Sequence, residues 1–219
     1  MKKDEYKPVV LLIGPPGSGK SSVAHKLKEK KDISIIGTGN LLRSEIENKT
    51  DAGKAIKNFL DKGRLASTEL VSKIILDKIR TITQSIILFD GFPRIEEQID
   101  SFFKISGQLN LELKAVIVLE ITRETSVKRL SGRRICTKCN EIYNIFYNPP
   151  PGGRCRCGDE LEIREDDKPG VVEKRLDIYD EETTPVINYF KENYTGKTFF
   201  IPGEETIEKL ADKILSIIE

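Results

Sequence analysis

Val9-Val10-Leu11-Leu12-Ile13-Gly14-Pro15-Pro16-Gly17-Ser18-Gly19-Lys20-Ser21 is the stretch on which the fold turns. It opens with a continuously apolar run, Val9 to Ile13, the mark of a strand buried on both faces. Gly14 to Ser21 then match G-x-x-x-x-G-K-[ST] in full, and a helical stretch follows to about Lys30. Gly14, Gly17 and Gly19 let the backbone turn tightly around Ser18 and point several N–H groups at one anion. The helix N-terminus adds partial positive charge. Lys20 is placed to reach β- and γ-phosphates. Ser21 or Ser22 can offer a hydroxyl to Mg²⁺ or to a phosphate. The pattern implies a nucleotide and leaves the reaction open.

Outward from this stretch, Ile33 to Ile36, Ile86 to Phe89, Ala115 to Leu119 and Thr198 to Ile201 are further short apolar runs. Residues 40–80 read as helical, broken near Thr50 and Gly63, with Leu70, Val71, Ile74, Ile75 and Ile79 at helical spacing. A final helix is expected from about Glu204. Buried strands alternating with helices indicate an α/β fold of three layers, a central parallel five-stranded sheet covered on both faces. Residues 133–167, with their cysteines, Pro149-Pro150-Pro151 and Gly152-Gly153, break the pattern and read as an inserted lobe. A length of 219 residues suits one such domain with small lobes.

Charged residues make up 32% of the chain, yet the net charge is only +1, so a generic nucleic-acid or membrane-surface protein is not indicated. Val9 to Ile13 is too short for a signal-peptide core or a bilayer span. The expectation is a soluble, cytosolic protein without nucleic-acid or membrane partners.

Phosphoryl transfer needs positioning and cations more than covalent chemistry. Arg43, Arg94, Arg129, Arg133, Arg164 and Arg175 are the candidates. A lone arginine is ordinarily a solvated surface charge. Arg94 departs from that, because it follows a buried strand directly in Asp90-Gly91-Phe92-Pro93-Arg94, at the carboxyl end where α/β ligands sit. Asp90 can hold a Mg²⁺-bound water there. The four cysteines, Cys136, Cys139, Cys155 and Cys157, lie close together and read as a structural zinc site before they read as disulfides. The pair Cys155-x-Cys157 is one residue shorter than the usual knuckle, so Asp159 stands as an alternative fourth ligand. His25, the single histidine, is expected on a helix surface with no chemistry.

With these residues in place, the chain resembles the adenylate kinase family in its long-lid form, almost end to end. Gly14 to Lys20 is similar to the family's phosphate loop, with Ser22 at its usual threonine position. Thr38-Gly39-Asn40-Leu41-Leu42-Arg43 is similar to its T-G-D-x-x-R. Gly63-Arg64-Leu65-Ala66 and Glu69-Leu70-Val71 resemble the segment that wraps the AMP base and ribose. Asp90-Gly91-Phe92-Pro93-Arg94 with Gln98 matches D-G-F-P-R-x-x-x-Q, the most specific signature. Gly132-Arg133-Arg134 resembles the hinge where the lid begins, and Arg164-x-Asp166-Asp167 and Lys174-Arg175-Leu176 resemble its closing end and the helix beyond.

The resemblance implies ATP + AMP ⇌ 2 ADP with Mg²⁺. Lys20 and the loop amides would hold the donor phosphates, Arg129 would stack on the donor base, and Arg133 would clamp the phosphates. Ile142, Tyr143 and Glu205 would complete the donor site, Glu205 by its backbone. Lobe packing is the competing explanation for Tyr143, Phe146 and Tyr147. Thr38, Arg64, Leu65, Ala66, Val71 and Gly91 would line the AMP site, with Arg43 and Arg94 on the phosphate and Gln98 on the adenine edge. Arg164 and Arg175 would bridge both substrates, and Asp166 and Asp167 would pin the lid or orient arginines. Implied domains are a core of residues 1–36, 67–131 and 168–219, a monophosphate lobe of 37–66 and a lid of 132–167. A monomer is the family expectation.

Several positions depart from the family pattern. Asn40 replaces an Asp, which removes a negative charge near the reacting phosphates. Gly37 replaces a Ser, and Glu205 stands near a common Lys. Pro169-Gly170 follows the lid, so the next helix is expected to start at that proline. A UMP or CMP kinase, a GTP donor, or a catalytically weak P-loop protein binding a partner through the zinc lobe are the rival readings.

Overall fold

The computed structural model describes residues 6–61 and 66–219. The chain begins with β1 (Lys7–Ile13), α1 (Lys20–Lys30) and β2 (Ile33–Gly37). Three helices follow, α2 (Thr38–Glu47), α3 (Asp51–Asp61) and α4 (Thr68–Ile79). Then come β3 (Ile86–Asp90), α5 (Glu97–Gln108), β4 (Leu111–Glu120) and α6 (Arg123–Gly132). A small lobe holds β5 (Arg133–Cys136), β6 (Ile142–Asn144) and β7 (Leu161–Glu162). The chain closes with α7 (Val171–Ile178), α8 (Thr184–Asn193), β8 (Thr198–Pro202) and α9 (Ile207–Ile218).

Five strands form one parallel sheet in the order β2-β3-β1-β4-β8. Alternating side chains of β1 feed two separate cores. Val9, Leu11 and Ile13 pack with residues of α4, α5 and α8, while Val10 and Leu12 pack with residues of α1 and α9. Every second residue points to the opposite face, so a strand covered on both faces must be apolar throughout. The expected α/β class, five-stranded parallel sheet and lobe of cysteines are all present.

β4 starts earlier than its apolar core indicates. Leu111 and Leu113 are buried and Glu112 and Lys114 exposed, so only one face is covered there. The break near Thr50 falls between α2 and α3, and Thr50 bridges them by accepting from Gly53 N–H and donating to Glu45. The second expected break, at Gly63, lies outside the described residues. The expected helix start at Pro169 is corrected. Gly170 has φ +82°, which cannot be helix interior, and α7 begins at Val171. α9 begins at Ile207, capped by Thr206, which accepts from Lys209 N–H at 3.4 Å. No helix among the described residues is long and apolar enough to cross a membrane.

Strand order reverses direction at β1, with β3 on one side and β4 on the other, and opens a crevice at the carboxyl ends of these strands. The phosphate loop after β1, the Asp90–Arg94 segment after β3 and the small lobe beyond β4 and α6 all issue from that end.

Candidate active site

The loop between β1 and α1 turns through Gly14, Gly17 and Gly19, all at positive φ, and Gly19 precedes the first residue of α1. Lys20 folds back over this loop. Its ammonium donates to Gly14 O at 2.6 Å, Pro15 O at 2.9 Å and Ser18 Oγ at 3.1 Å. Burial lowers it to about 8; Asp90 opposes the shift, and the charges of Arg94, Arg175 and Arg133 add to it.

At about pH 8 the nucleotide-free site therefore holds Lys20 as a mixture of charged and neutral forms, and a bound polyphosphate favours the charged form. Binding of the magnesium complex of ATP near pH 8 should take up about half a proton, against nearly none at about pH 6.5. Titration calorimetry in buffers of different ionisation enthalpy measures this; equal uptake at both values would contradict it.

Ser21 Oγ donates to Asp90 Oδ2 at 2.6 Å, which joins the first turn of α1 to the end of β3. A carboxylate and a hydroxyl oxygen are hard donors at the edge of the phosphate cradle, and they fit a Mg²⁺ site. Ser22 lies beside them in the first turn of α1, half-buried.

Past Asp90, the Phe92–Pro93 peptide is cis. Arg94 lies deep in the cleft, ringed by protein but open to the cleft's solvent. Its Nε donates to Gly91 O at 2.8 Å, and its backbone N–H donates to Gln98 Oε1 at 2.8 Å. Burial lowers the Arg94 pKa, with Asp90 opposing. Gly91 is required here on two counts. Its φ is +79°, and a Cβ would sit 2.8 Å from an Arg94 guanidinium nitrogen. Gln98 is buried, with its carbonyl committed to the Arg94 backbone; that bond sets the loop, whatever the amide end reads.

Arg43, on α2, converges on the same point. A Cβ on Gly39 would lie 3.4 Å from Arg43 Nη1 and 3.7 Å from Arg94 Nη2. Asn40 Oδ1 accepts from Arg43 Nη2 at 2.6 Å, so the neutral amide keeps the orienting contact without the charge. Thr38 Oγ1 is buried at the start of α2 with no partner among the described residues, an orphaned group beside this pair. Val71 and Ala66 are buried in the core that packs on β1 and β3. Arg64 and Leu65 lie outside the described residues.

On the opposite wall, the side chain of Asp167 is fully buried and organises two arginines. Arg133 binds it bidentately, Nε and Nη2 each at 2.6 Å, and Arg175 Nη1 donates to it at 2.8 Å. Arg175 Nη1 also donates to Asp166 O at 2.5 Å. Burial raises the Asp166 carboxyl, but Arg175, Arg133, Arg43 and Arg164 together bring it below its ordinary value. Arg164 has no ion pair among the described residues. Burial, Arg133 and Arg43 lower it to about 10. Arg129 Nη1, on α6, donates to Gly203 O at 2.9 Å and, at 3.5 Å, to Ser18 O in the phosphate loop, and its guanidinium lies 5.7 Å from the Tyr147 ring centre. Glu205 is two residues beyond Gly203 and pairs with Lys213 at 2.5 Å.

The four cysteine Sγ atoms all lie within 4.8 Å of one another, with Cys136–Cys157 at 3.5 Å and Cys139–Cys155 at 3.4 Å. A zinc tetrahedron with Zn–S bonds of about 2.3 Å has sulfurs about 3.8 Å apart, so the cluster fits one ion. Each pair sits on a turn closed by a positive-φ residue, Asn140 at +60° and Gly158 at +88°. The second turn, with Gly158 N–H on Cys155 O at 2.8 Å, brings Cys157 round despite the short spacing. Asp159 is not among the clustered groups.

Tyr143 sits in the core of the small lobe. Expected at the donor site, it is 2% exposed and packs on Cys136 and Cys155. Its hydroxyl accepts from Arg156 N–H at 3.0 Å and lies 3.6 Å from Cys155 Sγ. The backbone N–H of Cys157, with the Tyr143 hydroxyl helping, lowers Cys155 to about 6. Tyr143→Phe keeps the ring and removes that contact. It should weaken metal binding about tenfold without unfolding the lobe. Competition against a chelating dye measures this, and unchanged affinity would show the hydroxyl to be idle.

An anion cradle faced by cations from α2, the β3 loop, the small lobe and α7 is the arrangement of a P-loop phosphotransferase. Comparison with known proteins narrows this class. Residues 12–195 match the family described as adenylate kinase. The adenylate kinase of Pyrococcus abyssi is 36% identical over 212 residues, covering 96% of this chain and 95% of the relative. That of Pyrococcus furiosus is 38% identical over 212 residues with the same coverage. That of Thermosipho melanesiensis is 35% identical over 212 residues, covering 95% and 98%. The chain belongs to the adenylate kinase family.

Proposed function

We propose that the chain carries out the reversible transfer of a phosphoryl group from Mg-ATP to AMP, giving two ADP, through the residues gathered in this cleft. The observation that carries the assignment of roles is the convergence of Arg43 and Arg94 at Gly39, facing Lys20 and the phosphate loop. Two polyanions repel each other, and cations between them make their approach favourable. The phosphate-loop amides and Lys20 hold the donor's β- and γ-phosphates. Arg43 and Arg94 hold the AMP phosphate, with Thr38 beside it and Gln98 on the adenine edge. Arg133, Arg164 and Arg175 balance the charge that spreads over the moving group. No side chain is needed as a covalent intermediate.

Mg²⁺ would be held through Ser21 and Asp90, where it would neutralise phosphate charge. Zinc in the cysteine cluster would be structural, since four thiolates fill its coordination and leave no open position. The small lobe has little apolar core beyond Tyr143, Cys136, Cys155 and Leu161, so a metal would supply much of its folding energy. We further propose residues 37–66 and 132–167 as lobes that close over a core of 1–36, 67–131 and 168–219 and exclude water during transfer. A cytoplasmic monomer is the matching cellular form.

A coupled assay with Mg-ATP and each of AMP, UMP, CMP and GMP tests the reading. Rapid ADP formation with AMP alone is expected and shows that Asn40 is tolerated. Activity only with another monophosphate moves the chain to a sister specificity. Silence with all of them, from folded and metal-loaded protein, overturns the reading in favour of partner binding.

A further inference from the structure

The C-terminal end of α6 carries the observation. The last four carbonyls of a helix have no partner within it and must find donors elsewhere. In α6 these are Arg129, Leu130, Ser131 and Gly132. Each finds one. Leu130 O accepts from Arg133 N–H. Ser131 O accepts from Arg134 Nη1 at 3.0 Å. Gly132 O accepts from Ile145 N–H at 2.9 Å. Arg129 O accepts from Asn144 Nδ2 at 2.8 Å. Two of these donors come from one turn of the small lobe.

Asn144 is fully engaged at that turn. Its Oδ1 accepts from Phe146 N–H at 2.9 Å. Its backbone exchanges bonds with Asn148, N–H to O at 3.0 Å and O from N–H at 2.9 Å. It also pairs with Arg133 in the β5–β6 ladder. The approach is close: a Cβ on Gly132 would lie 2.8 Å from Asn144 Oδ1. The turn so held, Asn144 to Asn148, carries Tyr147, whose ring stands 5.7 Å from the Arg129 guanidinium and 5.9 Å from the Lys128 ammonium. Arg129 in turn reaches the phosphate loop at Ser18 O.

We propose that Asn144 is a positioning residue for the donor nucleotide. It caps α6 with its side-chain amide, and that cap seats the Asn144–Asn148 turn so that Tyr147 and Arg129 keep a fixed mutual position above the phosphate loop. The inference rests on reading Arg129 as a donor-base contact. A side-chain N–H on Arg129 O is required, and an oxygen in the same place repels that carbonyl.

Asn144→Asp makes that exchange with no change of shape and keeps the acceptor for Phe146. The expected result is a KM for Mg-ATP raised about tenfold, the scale of one lost supporting hydrogen bond with a carbonyl left unpaired. The KM for AMP should stay within about twofold, because nothing near Arg43 or Arg94 has moved. Asn144→Ser, too short to reach Arg129 O and uncharged, should show the same split, and it serves if the Asp variant unfolds the lobe. Metal content and thermal midpoint, measured alongside, read any merely structural role. An unchanged KM for Mg-ATP, or equal rises for both substrates, overturns the proposal. Arg129→Ala separates the two layers. If it too leaves the KM for Mg-ATP unchanged, the reading of Arg129 fails; if it raises that KM while Asn144→Ser does not, only the inference fails.

Discussion

Arg94→Ala should lower kcat/KM by about a thousandfold, the upper range for removing one preorganised donor from a phosphoryl-transfer site. Among the described residues Arg94 is held by a single side-chain bond, Nε to Gly91 O, and its guanidinium stands beside Arg43. The loop that carries it is set independently, by Gln98 on its backbone N–H and by Thr183 Oγ1, which donates to Arg94 O at 2.9 Å. Truncation therefore removes charge from the reacting phosphates while the loop stays in place. Steady-state kinetics and a thermal melt together check this. A normal rate in a folded variant would sink the assignment of the site, and a collapsed melting midpoint would show that Arg94 is structural.

Asp167→Ala should be the most damaging change outside the phosphate-contacting residues. Its carboxylate is buried and satisfies three donors from Arg133 and Arg175. Removing it leaves two guanidinium groups close together without their shared counter-charge. Breaking a buried pair from one side costs about 3–5 kcal/mol. Here about 3 kcal/mol is expected, because side-chain exposures of 17% and 27% leave Arg133 and Arg175 partly hydrated. Activity should fall as well, since both arginines lose the geometry that aims them into the cleft. Asp167→Asn, which keeps the shape and part of the hydrogen bonding, should fall between the two. Denaturant unfolding measures the stability loss. A variant as stable as the parent would mean that Arg133 and Arg175 are held by something else.

The parts of this protein legible in its sequence are those set by short-range rules. A five-residue apolar run before Gly14, and a lysine behind three glycines, are local patterns with one physical solution. The same holds for Asp90-Gly91-Phe92-Pro93-Arg94, where the strand end and the arginine it presents are neighbours in the chain. The cysteine cluster was legible too, except for its short second pair. There the turn at Gly158, rather than residue spacing, decides that Cys157 joins the others.

What only the tertiary structure decided involves partners brought together from distant positions. Asp167 faces Arg133 across 34 positions, and the sequence offers Asp166 as an equal candidate. Nothing local tells which carboxylate turns inward. Tyr143 reads as a possible substrate contact because aromatic residues serve both substrates and cores. Burial on Cys155 settles its direction. Asn144 carries no motif at all. Its side chain matters because a helix ending 12 residues earlier leaves a carbonyl without a donor, and folding places this amide beside it. Hydrophobic period and turn chemistry are properties of a few consecutive residues, so composition and order determine them. Which polar group satisfies which other depends on packing between elements far apart in the chain, and only the assembled fold specifies it.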